Sequence, residues 1–356
     1  MPVDVLVTGG GTGGHVYPAL ALAEELTRRG RTVRFVGSQR GLEATAVPAA
    51  GFEIDLLPGR GLQRRLTLAN VGVLVGALVA FARAFRIVGR ERPSVVVGVG
   101  GYASLPCVVA ARLRRRPVVV HEQNAAPGLA NRVAVRLGAR AAVSLPGTPL
   151  AGAVLIGNPV RRVIAEVVRR PDPDRPTVLA FGGSLGARRI NEAVVGLADA
   201  WRDRDDLAVR HVSGRRDHSD VEASLAAARR PGDRLRYELV AYEEHMEHAY
   251  ATATVAVCRA GAVTVAELAA VGLPAVLVPL PGAPGDHQTR NAAVMADGGA
   301  AVMVPDTECT PERLATELSA LLADAARLDR MSAAARSLAR PDAAARLADL
   351  VEDAAA

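Results

Sequence analysis

Apolar residues in this chain are gathered into short runs, separated by longer stretches in which they recur at helical spacing. The runs lie at residues 3–7, 33–37, 95–99, 118–120, 141–144 and 154–156, with one more strand beginning near Phe52. They do not alternate with polar residues, so each predicts a strand covered on both faces, as in a parallel sheet flanked by helices. A stretch rich in Pro, Asp and Arg at 169–176 interrupts the pattern, and it restarts at 178–181, 207–212, 236–240, 255–257, 275–278 and 301–304. Helical periodicity fills the gaps, as at 18–29, from 187 to about Leu197, and through the Ala-rich tail 311–356. One segment departs from the pattern. An uncharged run at 66–82 is flanked by Arg60, Arg64 and Arg65 on one side and by Arg83, Arg86, Arg90 and Arg92 on the other. It is short for a membrane span and contains Asn70 and two glycines. It therefore reads either as a buried helix of the fold or as an apolar, Arg-rimmed edge resting on anionic lipid.

Two βα halves of similar design predict an α/β protein with two Rossmann-like parallel-sheet domains facing across a cleft. The expected division is 1–160, a linker at 161–176, a second domain at 177–338, and a last helix at 339–356 that packs back on the first domain. The length of 356 residues supports two cores, and an aromatic content of 3% leaves Val, Ala and Leu to fill them. Every one of the 43 basic residues is Arg, and the net charge is +6, which admits nucleic acid, anionic membrane or phosphorylated substrates as partners. Scattered Arg and scarce aromatics argue against nucleic acid. Cys107, Cys258 and Cys309 lie far apart in or beside apolar segments, so neither a disulfide framework nor a metal site is expected. The N-terminus enters a strand directly without a basic segment and apolar core, and no export signal is expected.

Candidate chemistry sits where strands end. Four of them run into glycine turns followed by helices: 8–14, 100–104, 182–187 and 259–261. Such a turn leaves backbone N–H groups at a helix N-terminus, where a phosphate can be held. The first turn resembles a dinucleotide fingerprint, yet Ser38-Gln39-Arg40 stands where an acidic ribose reader would be, which disfavours a dehydrogenase. His15, beside the first turn, reads either as a general base or as a helix-capping residue. His121-Glu122-Gln123-Asn124 puts four polar residues at one strand end. In the second half, Glu267 stands early in a helix and suits two neighbouring hydroxyls, as on a ribose, while Gln288 and Asn291 share a helix face that suits sugar hydroxyls. Taken singly, these residues would also serve as first-turn helix residues. Asp172-Pro173-Asp174 has the spacing of a metal-nucleotide site but falls in the linker and is discounted.

The segments GGGTGGHVYPALALAEEL, GVGGYASLP, HEQNAAPGLANR, GNPVR, FGGSLGARRIN and RAGAVTVAEL…HQTRNA, in this order and spacing, resemble the MurG family of GT-B glycosyltransferases of bacterial peptidoglycan synthesis. The resemblance implies inverting transfer of GlcNAc from UDP-GlcNAc to the MurNAc 4-hydroxyl of lipid I, giving lipid II, with no cofactor and no metal. It implies His15 as the group that takes or orients the acceptor's proton and Glu267 as the ribose carboxylate. It further implies donor contacts from Thr12, Gly13, Gly14, Asn124, Arg161, Ser184, Glu243, Ala262, Val263, Thr264, Val265, Ala266, Gln288 and Asn291, and an acceptor side shaped by Tyr102, His121 and Glu122. Partners would be UDP-GlcNAc, lipid I, anionic lipid at the cytoplasmic face of the cell membrane, and proteins of cell-wall synthesis. Two departures stand out: Glu243 takes a place beside the uracil that is usually apolar, and Leu185 replaces the usual Gln of its glycine loop. The competing expectations are a GT-B enzyme of secondary metabolism with another nucleotide sugar, and a non-catalytic sugar-nucleotide-binding protein.

Overall fold

The computed structural model describes residues 3–58, 69–183 and 187–356, with backbone alone over 69–75. The chain divides into two compact units, Met1–Arg161 with Arg340–Ala356, and Arg162–Ala339. In the first unit the strands are β1 (Val5–Thr8), β2 (Val33–Ser38), β3 (Ile54–Leu57), β4 (Val95–Gly98), β5 (Val118–Glu122), β6 (Arg140–Val143) and β7 (Val154–Leu155). They form one sheet in the order β3-β2-β1-β4-β5-β6-β7, and every pairing is parallel. The helices are α1 (Gly13–Arg28), α2 (Glu43–Ala49), α3 (Ala69–Glu91), α4 (Ser104–Leu113) and α5 (Leu129–Arg136). Both faces of the sheet are buried, which is why the strands read as unbroken apolar runs. Val5 and Val7 pack with α1 on one face, while Leu6 joins the cluster beneath α3 and α4 on the other.

The second unit opens with α6 (Arg162–Ala165). It continues with β8 (Thr177–Phe181), α7 (Arg188–Ala200), β9 (Ala208–Val212), α8 (His218–Ala228), β10 (Arg236–Val240), α9 (Met246–Thr252), β11 (Val255–Cys258), α10 (Ala262–Val271), β12 (Ala275–Leu277), α11 (His287–Asp297), β13 (Ala301–Met303), α12 (Pro311–Leu322) and α13 (Ala325–Leu338). Its sheet, again all parallel, has the order β10-β9-β8-β11-β12-β13. The composition of 161–176 suggests a linker, yet Arg169 ties that stretch to this unit by donating to the carbonyls of Gly272 and Ala253 at 2.6 and 2.9 Å. The chain then returns to the first unit as α14 (Ala343–Ala355), whose Leu347 and Val351 are fully buried in the core of β1 and α1.

Two features of this topology position the chemistry. Strand order reverses between β1 and β4 in one unit and between β8 and β11 in the other, and ligands of doubly wound sheets bind outside the strand C-termini at such switch points. The second feature is α3. Its inward face, Ala80, Ala84, Ile87 and Val88, is core, while Leu78 and Val79 are 68% and 43% exposed alongside exposed Arg83 and Arg86. Arg90 is paired with Asp55 and Glu91 at 2.8 and 2.6 Å. Among the described residues no helix is long and apolar enough to cross a membrane. Arg60, Arg64 and Arg65 lie outside the described residues.

Candidate active site

At the first switch point the loops after β1 and β4 interlock through glycine. Gly9, Gly10 and Gly11 have φ of 141, 134 and 103°, and Gly100 and Gly101 have φ of 88 and 82°. A Cβ on Gly101 would stand 2.2 Å from the Gly10 carbonyl oxygen, and one on Gly9 would stand 2.3 Å from that of Gly100. Gly10 N–H donates to the Gly100 carbonyl at 3.2 Å, so the backbones touch and no side chain fits between them. Glu43, at the start of α2 and 2% exposed, fixes the loop from the other side. It accepts from Gly11 N–H at 2.6 Å and from the N–H and hydroxyl of Ser38, both at 2.8 Å. Sequence reasoning missed Glu43. The available signal was the set of glycines, since a Cβ at Gly10, Gly37 or Gly41 would strike its side chain.

Helix α1 begins at Gly13, five residues before the expected start at 18, so Gly13, Gly14 and His15 form its first turn. Thr12 is the N-cap, and its Oγ1 lies 3.5 Å from His15 Nδ1 rather than on the helix N–H groups. The half-buried imidazole lies over Gly100, where a Cβ would be 3.1 Å from Nε2. Arg161, half-buried, is stacked over Tyr17 with its guanidinium carbon 5.1 Å from the ring centre. Tyr102 packs on the core beneath α3 and α4, and its hydroxyl is buried without a hydrogen-bond partner among the described residues. Burial raises its pKa.

The polar quartet at the end of β5 is mostly buried. His121 is 0% exposed. Its Nε2 donates to the Gly157 carbonyl at 2.9 Å, and its Nδ1 accepts from the Gln123 amide at 3.1 Å. These partners select the neutral tautomer, and burial pushes its pKa down to about 4. Glu122, 3% exposed, likewise turns inward. It accepts from the N–H groups of Asn124 and Gly128 at 3.1 and 2.9 Å and from the Asn131 amide at 2.8 Å, holding the loop between β5 and α5. Of the four, Asn124 alone is half-exposed.

At the second switch point the turn after β11 opens α10, with Gly261 as an N-cap that offers no side-chain bond. Val265 N–H donates to the Gly261 carbonyl at 2.9 Å, so the N–H groups of Ala262, Val263 and Thr264 precede the helical ladder. Val265 and Ala266 belong to the helix body. Arg259 ties the three neighbouring strand ends together by donating to the carbonyls of Val278 and Pro279 and to Asp306, the last at 2.5 Å. Glu267, 6% exposed, accepts from the Tyr250 hydroxyl at 2.9 Å, a partner contributed by α9 that the sequence does not reveal. Gln288 Oε1 accepts from Leu280 N–H at 3.0 Å, which leaves its amide nitrogen out of that bond. Asn291 lies one turn further along the same helix. It is 0% exposed and donates to the Ala260 carbonyl at 3.1 Å, so it braces the turn.

Glu243, after β10, accepts from Arg210 Nε and Nη2 at 2.9 and 2.6 Å and from His245 N–H at 3.1 Å. The carboxylate is thus neutralised by a fork from the adjacent strand. Ser184 and Leu185, on the loop after β8, lie outside the described residues.

Comparison with known proteins agrees along the whole chain. The glycosyltransferase family 28 N-terminal domain matches residues 5–143, and the glycosyltransferase family 28 C-terminal domain matches 177–347. A UDP-N-acetylglucosamine–N-acetylmuramyl-(pentapeptide) pyrophosphoryl-undecaprenol N-acetylglucosamine transferase of Alkalilimnicola ehrlichii is 45% identical over 98% of this chain and 98% of its own. A protein of the same name from a Nocardioides strain is 42% identical over 98% and 97%. Among solved structures, Acinetobacter baumannii MurG superposes with a TM-score of 0.82 at 33% identity, covering 99% of this chain and 100% of its own.

Proposed function

The chain belongs to glycosyltransferase family 28, with the two Rossmann-like units of the GT-B fold, and from that premise we propose that it converts lipid I to lipid II. It transfers GlcNAc from UDP-GlcNAc to the MurNAc unit of a pentapeptide-bearing pyrophosphoryl-undecaprenol. The observation that carries this reading is the 45% identity spread over nearly all of both chains, which spans both switch-point loops.

In this reading the second unit binds the donor. The diphosphate meets the N–H groups of Ala262, Val263 and Thr264 at the start of α10, where backbone dipoles stabilise the charge that builds on the departing UDP. Glu267, oriented by Tyr250, accepts from the ribose hydroxyls, and the amide nitrogen of Gln288 donates to the sugar. The backbone beside Glu243 reads the uracil edge, and the Arg210 fork keeps its carboxylate from repelling the donor.

The first unit presents the acceptor. His15 Nε2, held over Gly100 with Nδ1 toward Thr12, receives the proton of the attacking hydroxyl, while the buried Tyr102 hydroxyl supplies an acceptor-side hydrogen bond. His121, Glu122 and Asn291 act one step back, as positioning residues. Because the acceptor carries a polyprenyl chain, the enzyme works at a membrane surface. Leu78 and Val79, flanked by Arg83 and Arg86, supply apolar area and positive charge for anionic lipid at the cytoplasmic face.

The test is UDP release and product mass with UDP-GlcNAc, with and without a polyprenyl-diphosphate-MurNAc-pentapeptide. Acceptor-dependent release with addition of one GlcNAc is expected. Release that ignores the acceptor, or a clear preference for another nucleotide sugar, would overturn the reading.

A further inference from the structure

Next to the donor-facing segment at Glu243, one group of side chains has the composition of a metal centre. The chain bends after β10 and enters α9 through His245, Met246, Glu247 and His248. His245 Nδ1 lies 3.0 Å from Glu247 Oε1, and the rings of His245 and His248 stack with centroids 5.4 Å apart. One donor atom from each of His245, Glu247 and His248 lies within 4.8 Å of the other two. Among the described residues no other trio of His, Cys, Asp or Glu meets this condition. Both histidines are exposed and Glu247 is half-buried, so a cation reaches the group without opening the fold.

We propose that His245, Glu247 and His248 bind one divalent transition-metal ion of the zinc or nickel class, and that its occupancy tunes donor binding. Two imidazoles and one carboxylate suit a borderline metal and leave a coordination position for water, whereas magnesium and calcium take oxygen ligands. Tetrahedral bonds of about 2.0–2.2 Å to nitrogen and oxygen place ligand atoms about 3.3 Å apart. The contact between His245 and Glu247 is already close to that spacing, and rotation of the exposed His248 side chain brings in the third ligand. The ion takes the place of the direct contact between His245 Nδ1 and Glu247 Oε1. Neighbouring carboxylates do not compete for the ion: Glu243 is engaged by Arg210, and Glu244 lies 3.9 Å from Arg215.

The site holds none of the groups assigned to the transfer chemistry, for which no metal is expected, but it is mechanically connected to them. His245 N–H donates to Glu243, and two residues beyond His248 the same helix carries Tyr250, which donates to Glu267. An ion bound here clips the segment between these two contacts. That second half of the proposal rests on the donor role of Glu267, while the first half does not.

The experiment separates them. Chelator-stripped full-length protein is titrated with zinc chloride against a chromophoric chelator, without substrate. One equivalent should bind with Kd of about 10 µM or tighter. His245→Ala and His248→Ala should each weaken binding at least about tenfold, and His287→Ala should leave it unchanged. Absence of stoichiometric binding below about 100 µM, or affinity indifferent to His245 and His248, overturns the site. The KM for UDP-GlcNAc is then compared with and without saturating zinc. A change of about twofold or more that vanishes in the His245→Ala/His248→Ala double variant supports the coupling. An unchanged KM at full occupancy overturns the coupling.

Discussion

Replacing His211 with glutamine should remove much of the acid sensitivity of the second unit. The ring is 0% exposed, its Nδ1 accepts from the Tyr237 hydroxyl at 2.8 Å, and its Nε2 donates to Asn191 Oδ1 at 2.9 Å. A protonated ring would keep the bond to Asn191, but its Nδ1–H would face the Tyr237 hydroxyl, which would have to withdraw its own donated proton. Burial, with a smaller push from His218, lowers its pKa from 6.5 to about 4. In the unfolded chain the ordinary value returns, so below pH 6.5 the unfolded state binds a proton that the folded state refuses. The contribution is therefore complete above pH 6.5 and is lost progressively as pH falls toward 4. At about 1.4 kcal/mol per tenfold change, the whole effect is about 3 kcal/mol, of which about 2 kcal/mol is gone at pH 5. Trp201, the one tryptophan, is 5% exposed in the core of this unit and reports its unfolding. Urea titrations followed by tryptophan fluorescence at pH 7.5 and 5.0 should show wild type losing about 2 kcal/mol more than His211→Gln between the two conditions. Surface carboxylates titrate alike in both proteins and cancel. Equal losses would refute the argument, whatever the variant costs at pH 7.5.

The remaining expectations concern turnover and membrane binding. Glu267→Ala should raise the KM for UDP-GlcNAc by about 10- to 150-fold, the equivalent of about 1.5–3 kcal/mol for a charge-assisted hydrogen bond, and Tyr250→Phe should raise it by a smaller factor. The reverse ranking would remove Tyr250 from its positioning role. His15→Ala should lower kcat by about 10²- to 10⁴-fold with the donor KM kept, measured at saturating acceptor. Turnover should persist in EDTA, because helix N–H groups rather than a cation meet the diphosphate; loss with EDTA and rescue by Mg²⁺ would reverse that assignment. Charge reversal at Arg83 and Arg86 should lower binding to anionic vesicles and activity on lipid-embedded acceptor while sparing a short-chain soluble analogue. A parallel loss on both acceptors would return α3 to a purely structural part.

The strands were legible because burial on both faces writes them as apolar runs, and the glycine turns because backbone contact excludes side chains. The start of α1 was misplaced because glycine is a poor helix former, yet here the helix must begin on Gly13 and Gly14. His121 and Glu122 were drawn toward the ligand by their location at a strand end, and Asn291 by the helix face it shares with Gln288. Their side chains turn inward, and a sequence does not say which way a polar group at a strand end points. Glu43, Tyr250 and Arg210 were missed for another reason. Each acts through a partner distant in sequence or on another element, and such pairings leave no local pattern.

The return of α14 to the first unit has a consequence for how the protein is made. Arg29 binds Asp349 and Glu352 at 2.6 and 2.8 Å, and Leu347 and Val351 complete the core around Val5 and Val7. All of the second unit is synthesised between these partners. The first unit therefore leaves the ribosome with an open apolar face and a waiting arginine, and it closes only after its younger neighbour has emerged. Damage near the end of the chain should thus be felt where the chain began.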